Sequence, residues 1–353
     1  MFDVSQTFPV PLSVLDLAPV VSGSSSSTAL HNTLELAKHV ERLGYTRFWL
    51  AEHHNMPGIA SSAPAVLIGS VAAVTSTLRV GSGGVMLPNH PPLVVAEQFG
   101  MLEGLYPGRI DLGLGRAPGT DPRTAAALRR STSPLSADDF PQQLGELLAY
   151  FGDDPDAPRD GQLHAVPAAG NQPPVWLLGS SLYSAQLAGL LGLPFAFAHH
   201  FSSENTLPAA NAYRSNFKPS EALREPYLLI AAGVWAAEDD ERARYLAAPS
   251  ALQWLRLRQG KPTKLPTPEE AAEYPYSEME RLIAEDRLGG QIVGGPDTVR
   301  KGIDELVAAT GADELMITTS MHAFADRLRS YELVAGLWPA DHSPASAVTP
   351  ARR

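Results

Sequence analysis

Phe48-Trp49-Leu50-Ala51-Glu52-His53-His54 is a short apolar run that ends abruptly in a carboxylate and two imidazoles. A run of this kind reads as a buried parallel strand that delivers polar groups to one rim of a sheet. The design recurs downstream in residues 78–87 (LRVGSGGVML) and 109–116 (RIDLGLGR), each a β-type run ending in glycines or a charge. Helical patterns separate the three runs. The stretch from Phe48 to Arg116 therefore predicts repeated strand–helix units with their chemistry at the strand ends.

Working outward, residues 12–17 (LSVLDL) form a first apolar run that stops at Ala18-Pro19. After a serine-rich loop, Leu30, Leu34, Ala37, Val40 and Leu43 fall at helical spacing, and Gly44 closes that helix. Pro64 opens an Ala- and Gly-rich apolar helix through Val74; Pro88-Asn89-His90-Pro91-Pro92 is a turn before a helix over 93–105. Beyond Arg116 the pattern loosens into an excursion over 117–174, with a helix expected at 137–150 and an exposed acidic passage, GDDPDAPRDG, at 152–161. Order returns with a strand at 175–178, a helix at 180–191 ended by Gly192, a strand at 194–198 leading into His199-His200, and a helix at 203–217. A strand at 227–235 precedes a second, mostly helical excursion over 236–290; an amphipathic helix at 297–310, a strand at 314–319 and a helix at 322–337 finish the chain.

Strands thus begin near residues 12, 46, 79, 109, 175, 194, 227 and 314. Eight βα units predict an α/β fold, a (β/α)8 TIM barrel, whose function sits at the C-terminal strand ends. We expect one domain over 1–340, with excursions at 117–174 and 236–290 after strands four and seven, and a disordered tail at 341–353. The alternative is an open doubly wound sheet. No GxGxxG opens a helix after the first strand and no GxxxxGK[ST] occurs, so the usual nucleotide fingerprints are missing.

Composition narrows the function classes. Lysine and arginine number 27 against 38 acids, a net charge of -11, which argues against nucleic acid or an anionic membrane as partner. Cysteine is absent, so disulfides and thiolate metal sites are excluded, and a reducing cytoplasm is the expected location. With 353 residues, 44% of them hydrophobic, the chain can bury a large core.

The rim candidates are Glu52, His53, His54, Ser82, Arg116, Ser180, His199 and His200. Adjacent strand residues point to opposite faces, so only one of His53 and His54 enters a barrel mouth. A metal site would need ligands from Glu52, His199 or His200, and no metal is expected; a strand-end histidine also commonly just bonds a loop carbonyl. Arg116 follows a Gly-x-Gly strand end, and its planar fork suits a phosphate or carboxylate; a salt bridge to Asp111 or Asp121 would account for it equally. Ser180 and Ser181 fall at a helix N-terminus, where they would cap the helix, bind an anion, or do both. The glycines of Gly81-Ser82-Gly83-Gly84 imply close approach of neighbouring strands or of a flat ligand.

The runs FWLAEHH, VGSGGVMLPNHPPLVVAEQ and GRIDLGLGR, with VGGPDTV and ATGADEL near the end, resemble the bacterial luciferase-like flavin monooxygenases. The resemblance implies a site for FMN, used in reduced form as a cosubstrate, at Ala18, Ser82, Gly83, Gly84, Met86, Arg116, Gly179, Ser180, Ser181 and Tyr183. Arg116 falls on the arginine that binds the FMN phosphate, and residues 82–84 fall on a segment with a non-prolyl cis peptide. Catalysis is implied at His53, the first histidine of the EHH motif, with Glu52 tuning its pKa. The implied reaction uses reduced flavin from a separate NAD(P)H:flavin reductase, and oxygen, to oxygenate a small organic substrate through a flavin hydroperoxide. A homodimer through the small-residue helices after strands two and three is the family expectation. Gly179 and Tyr183 replace a glutamate and a threonine of the luciferases, and no cysteine matches their thiol, so light emission is not implied. Deazaflavin-dependent hydride transfer, or flavin binding without catalysis, are the alternatives.

Overall fold

The alternation in residues 47–50 becomes two packing layers. Phe48 and Leu50 join the apolar cluster between strands and helices, whereas Trp49 joins a separate cluster with Leu15, Trp176, Ala196, Leu229, Ala231 and Met316. The computed structural model describes residues 10–117, 119–129, 139–152 and 163–338. Its strands are β1 (Leu12–Asp16), β2 (Arg47–Leu50), β3 (Arg79–Ser82), β4 (Val85–Met86), β5 (Ile110–Gly115), β6 (Val175–Gly179), β7 (Phe195–Phe197), β8 (Leu228–Ala236), β9 (Ile292–Gly294) and β10 (Glu314–Thr318). All pairings among them are parallel, and β10 pairs with both β1 and β8, which closes the sheet into an eight-stranded barrel. Closure rules out the open doubly wound alternative. The two extra strands, β4 on β5 and β9 on the far end of β8, extend the barrel wall at its C-terminal rim.

Helices pack outside the strands: α1 (Ser26–Arg42), α2 (Pro64–Val74), α3 (Pro92–Leu105), α4 (Pro122–Arg129), α5 (Phe140–Phe151), α6 (Leu182–Leu191), α7 (Thr206–Asn216), α8 (Asp240–Arg258), α9 (Pro268–Glu273), α10 (Glu278–Gly289), α11 (Pro296–Thr310) and α12 (Phe324–Ala335). Gly192 and Gly311 end α6 and α11 in the left-handed conformation, at φ 63° and 61°, as glycine at those positions predicts. Local chemistry moves other boundaries. The helix expected from 137 starts at Phe140, the last helix starts at Phe324, and α4 was not anticipated. The acidic passage, from residue 153 on, and the tail at 341–353 lie outside the described residues. Among the described residues, no helix is long and apolar enough to cross a membrane.

The barrel floor is ionic. Arg47 donates to Asp111 (2.8 Å) and to Glu314 (3.0 Å), Arg79 donates to Asp111 (2.5 Å), and Tyr227 donates to Glu314 (2.7 Å), all with little or no exposure. Removing one partner of such a set leaves a buried charge uncompensated, at a cost of about 3–5 kcal/mol. Above this layer Trp49 and Trp176 pack edge to face, with centroids 5.1 Å apart, and fill the interior with apolar surface. The mouth therefore has a dry, packed base.

Candidate functional site

Glu52 is the most heavily bonded group at the rim. Carried just past the end of β2 and fully buried, its carboxylate accepts from His54 Nε2 (2.9 Å), His90 Nε2 (2.8 Å) and the Met86 amide (3.0 Å). Burial by itself would raise its pKa, but the bonds and charge of His90, with those from His54 and Met86, outweigh burial and hold the carboxyl below its ordinary range. One ionised side chain thereby ties the end of β2 to β4 and to the turn before α3. Glu52, His54 and His90 place three ligand-type atoms within 4.8 Å of one another, and these mutual hydrogen bonds satisfy them.

The charge of Glu52 does raise the pKa of His53, as expected, but the carboxylate makes its hydrogen bonds elsewhere. Adjacent side chains diverge, so the Glu52 carboxylate bonds His54 and His90 and reaches His53 through charge alone. The half-buried His53 imidazole instead hydrogen-bonds to the backbone of Gly119, in the loop that follows β5. Burial lowers its pKa, more than the Gly119 bond and the Glu52 charge raise it, so the ring is neutral at pH 7. In the sequence His90 reads only as part of a proline-rich turn. A polar ring inside PNHPP was the one available signal, and its partner lies 38 positions away.

Arg116 stands at the end of β5, with its guanidinium carbon 4.2 Å over the ring of Tyr183. Both salt-bridge alternatives fail. Asp111 serves Arg47 and Arg79 on the floor, and Asp121 accepts from Asn55, Arg123 and Thr124 as a helix-start cap. Arg116 has no carboxylate partner among the described residues. Tyr183 belongs to the first turn of α6, whose N-cap, Ser181, makes no side-chain capping bond; Ser180 beside it is exposed. The β5–β6 corner thus combines a half-buried cation, hydroxyls and free helix amides, the donors that hold a phosphate. Gly179 makes the corner possible, because a Cβ there would lie 2.6 Å from Ser184 Cβ and push α6 away.

The remaining expected cofactor residues divide by exposure. Gly83 and Met86 are partly exposed on the rim between His53 and Arg116, and the Gly83–Gly84 peptide is cis. Ala18, Ser82 and Gly84 are buried. Ser82 Oγ donates to the Gly113 carbonyl (2.8 Å) and accepts from the Gly113 amide (3.0 Å), so its hydroxyl joins β3 to β5. Crowding alone accounts for the glycines. A Cβ at Gly83 would meet Leu15 at 2.6 Å, and one at Gly84 would meet the Gly113 carbonyl at 2.8 Å. His199 bonds Thr206 (2.7 Å) and His200 bonds the Ala231 carbonyl (2.9 Å), so neither joins Glu52.

Comparison with known proteins gives this arrangement a context. A family model described as luciferase-like monooxygenase matches residues 10–314. A luciferase-like monooxygenase of Escherichia coli (strain K12) is 49% identical over 92% of this chain and 96% of its own length. The N-acetyl-S-alkylcysteine monooxygenase of Bacillus subtilis (strain 168) is 33% identical over 92% of this chain and 97% of its own. The crystal structure of apo-MsnO8 is 39% identical, covers 96% of this chain and 100% of its own, and superimposes with a TM-score of 0.86. Two more distant structures share the fold alone. The oxygenating constituent of 3,6-diketocamphane monooxygenase, in complex with FMN, is 19% identical (TM-score 0.68; 93% of this chain, 97% of its own). An F420-dependent secondary alcohol dehydrogenase is 14% identical (TM-score 0.65; 92% and 97%).

Proposed function

The chain belongs to the luciferase-like monooxygenase family, and on that premise we propose that it is an FMN-dependent monooxygenase that oxygenates a small organic substrate with O2. The observation that carries this reading is the Arg116 corner: a rim arginine with no carboxylate partner among the described residues, stacked on Tyr183 beside the start of α6. Arg116, Ser180, Ser181 and the first amides of α6 would hold the phosphate, with Gly83 and Met86 beneath the ring. When bound, reduced flavin would supply two electrons to O2, one oxygen atom passing to the substrate and the other leaving as water. A separate NAD(P)H:flavin reductase would deliver those electrons.

The residues of the chain would then work on protons and water. His53, neutral and anchored to Gly119, can hold or release a proton at its other ring nitrogen beside the reacting oxygen. Glu52 would act as a positioning residue, fixing the strand end that presents His53. Trp49, Trp176 and Met316 close the base of the mouth to water, which protects a reduced, oxygen-reactive centre.

Hydride transfer with deazaflavin F420 is the second reading, favoured by the shared barrel of the alcohol dehydrogenase. Both cofactors carry phosphate, so Arg116 serves either. Mixing the protein with reduced FMN or reduced F420 under nitrogen, then admitting O2, separates them. We expect FMN to bind, its reoxidation to follow a course different from that of free flavin, and Arg116→Met to weaken binding about tenfold to a hundredfold. Binding of F420 in preference to FMN would replace the monooxygenase reading with hydride transfer.

A further inference from the structure

Arg287 is a second rim arginine, set apart from the Arg116 corner. It lies in the last turn of α10, within the second excursion and just before β9. Its guanidinium carbon sits 4.6 Å over the ring of Trp254, and Nη1 donates to the His200 carbonyl. Phe201, 48% exposed, has its ring 6.4 Å from that of Trp254 and continues the aromatic wall. The buried arginines elsewhere are matched to carboxylates: Arg47 and Arg79 to Asp111, Arg327 to Asp16. Arg287 is half-buried and has no carboxylate partner among the described residues, and burial lowers its pKa.

A structural strut from α10 to β7 accounts for only part of this. Gln291 also donates to the His200 carbonyl (3.4 Å), so that acceptor is served without a charge. Guanidinium carries five N–H donors in a fixed fork, and a partly desolvated fork laid on an aromatic face suits a planar carboxylate. The position is right for a substrate. Arg287 bonds the chain just past β7 and His53 follows β2, four strands away in the closed ring of eight, so the two stand across the mouth from each other, with Arg116 at the end of β5 between them.

We infer that Arg287, backed by Trp254 and Phe201, receives a carboxylate on the organic substrate, so that the enzyme selects molecules combining a carboxylate with an apolar portion. The inference rests on the function proposed above for the role of that ligand, and on geometry alone for the preference itself.

The test is calorimetric titration of phenylacetate, octanoate and 3-(methylthio)propionate, each against its primary amide, into the protein with and without FMN. At least one acid should bind about tenfold or more tighter than its amide. Arg287→Met should abolish that preference and Arg287→Lys should retain part of it, with FMN affinity unchanged in both. Should Arg287→Met fail to fold, Arg287→Gln gives the same reading. Equal binding of every acid and amide by the unaltered protein overturns the inference, as does a preference that survives Arg287→Met. If FMN fails to bind, the flavin reading falls, yet the titration without FMN still judges Arg287.

Discussion

His53 and His200 are both rim histidines, yet burial sets them different tasks. His200 is almost fully buried, donates to the Ala231 carbonyl, and has its pKa lowered by that burial to about 4. The unfolded chain takes up this proton near pH 6.5 and the folded chain does not, so stability present above pH 6.5 is lost as pH falls toward 4, by up to about 3 kcal/mol. His200→Asn keeps a donor for Ala231 and cannot titrate. Urea midpoints measured from pH 7 to pH 4 should fall less steeply in the variant than in the unaltered protein; parallel slopes would remove His200 as the cause. His53 keeps partial access to the mouth. Replacing it with Asn preserves a donor for Gly119 but supplies no group that can take up and release a proton, so product formation should drop about a hundredfold to ten-thousandfold while FMN affinity stays within about threefold. Unchanged turnover would move proton handling to another group.

At the scale of elements, the decisive junction is β6 to α6. The strand, its terminal Gly179 and the helix start were legible in VWLLGSS, because a buried run followed by glycine and serines is a local signal. That Gly179 touches Ser184 was not, since it depends on how far the helix leans on the strand. Gly179→Ala should cost about 1–3 kcal/mol by overpacking and should also weaken FMN binding, because Tyr183 and the amides beside Arg116 move with α6. Adding Ser184→Gly removes both clashing atoms. Thermal unfolding and FMN titration should recover together in the double variant; recovery of neither would mean that glycine serves the ligand directly. The glycines of residues 81–84 admit two readings in the sequence, close approach of neighbouring strands or of a flat ligand, and the barrel shows the first: a Cβ at Gly81, Gly83 or Gly84 would meet Asp111, Leu15 or Gly113.

The whole molecule separates its charges by function. At the floor, Arg47 and Arg79 meet carboxylates, which stabilises the barrel; at the rim, Arg116 and Arg287 lie over aromatic rings and have no carboxylate partner among the described residues. Outside, α2 and α3 expose Val66 (73%), Met101 (55%) and Leu105 (67%), and we propose that a second copy of the chain covers them. Sedimentation should then show a species of twice 37.7 kDa, and Val66→Asp with Leu105→Glu should convert it to the monomer without loss of FMN binding. A monomeric unaltered protein would refute the dimer.

By itself the sequence determined most of the order of strands and helices, the repeated βα units and the placing of polar residues at one rim, because periodicity and turn chemistry are properties of neighbouring residues; that the sheet closes rather than staying open rests on the pairing of β10 with both β1 and β8. Only the tertiary structure decided which charges pair. Barrel closure brings Glu314 to Arg47 across 267 positions and His90 to Glu52 across 38. By consuming Asp111 on the floor and Asp121 in a cap, it leaves Arg116 without a carboxylate among the described residues; no local pattern contains that information, since pairing depends on distances that exist only once the sheet has closed.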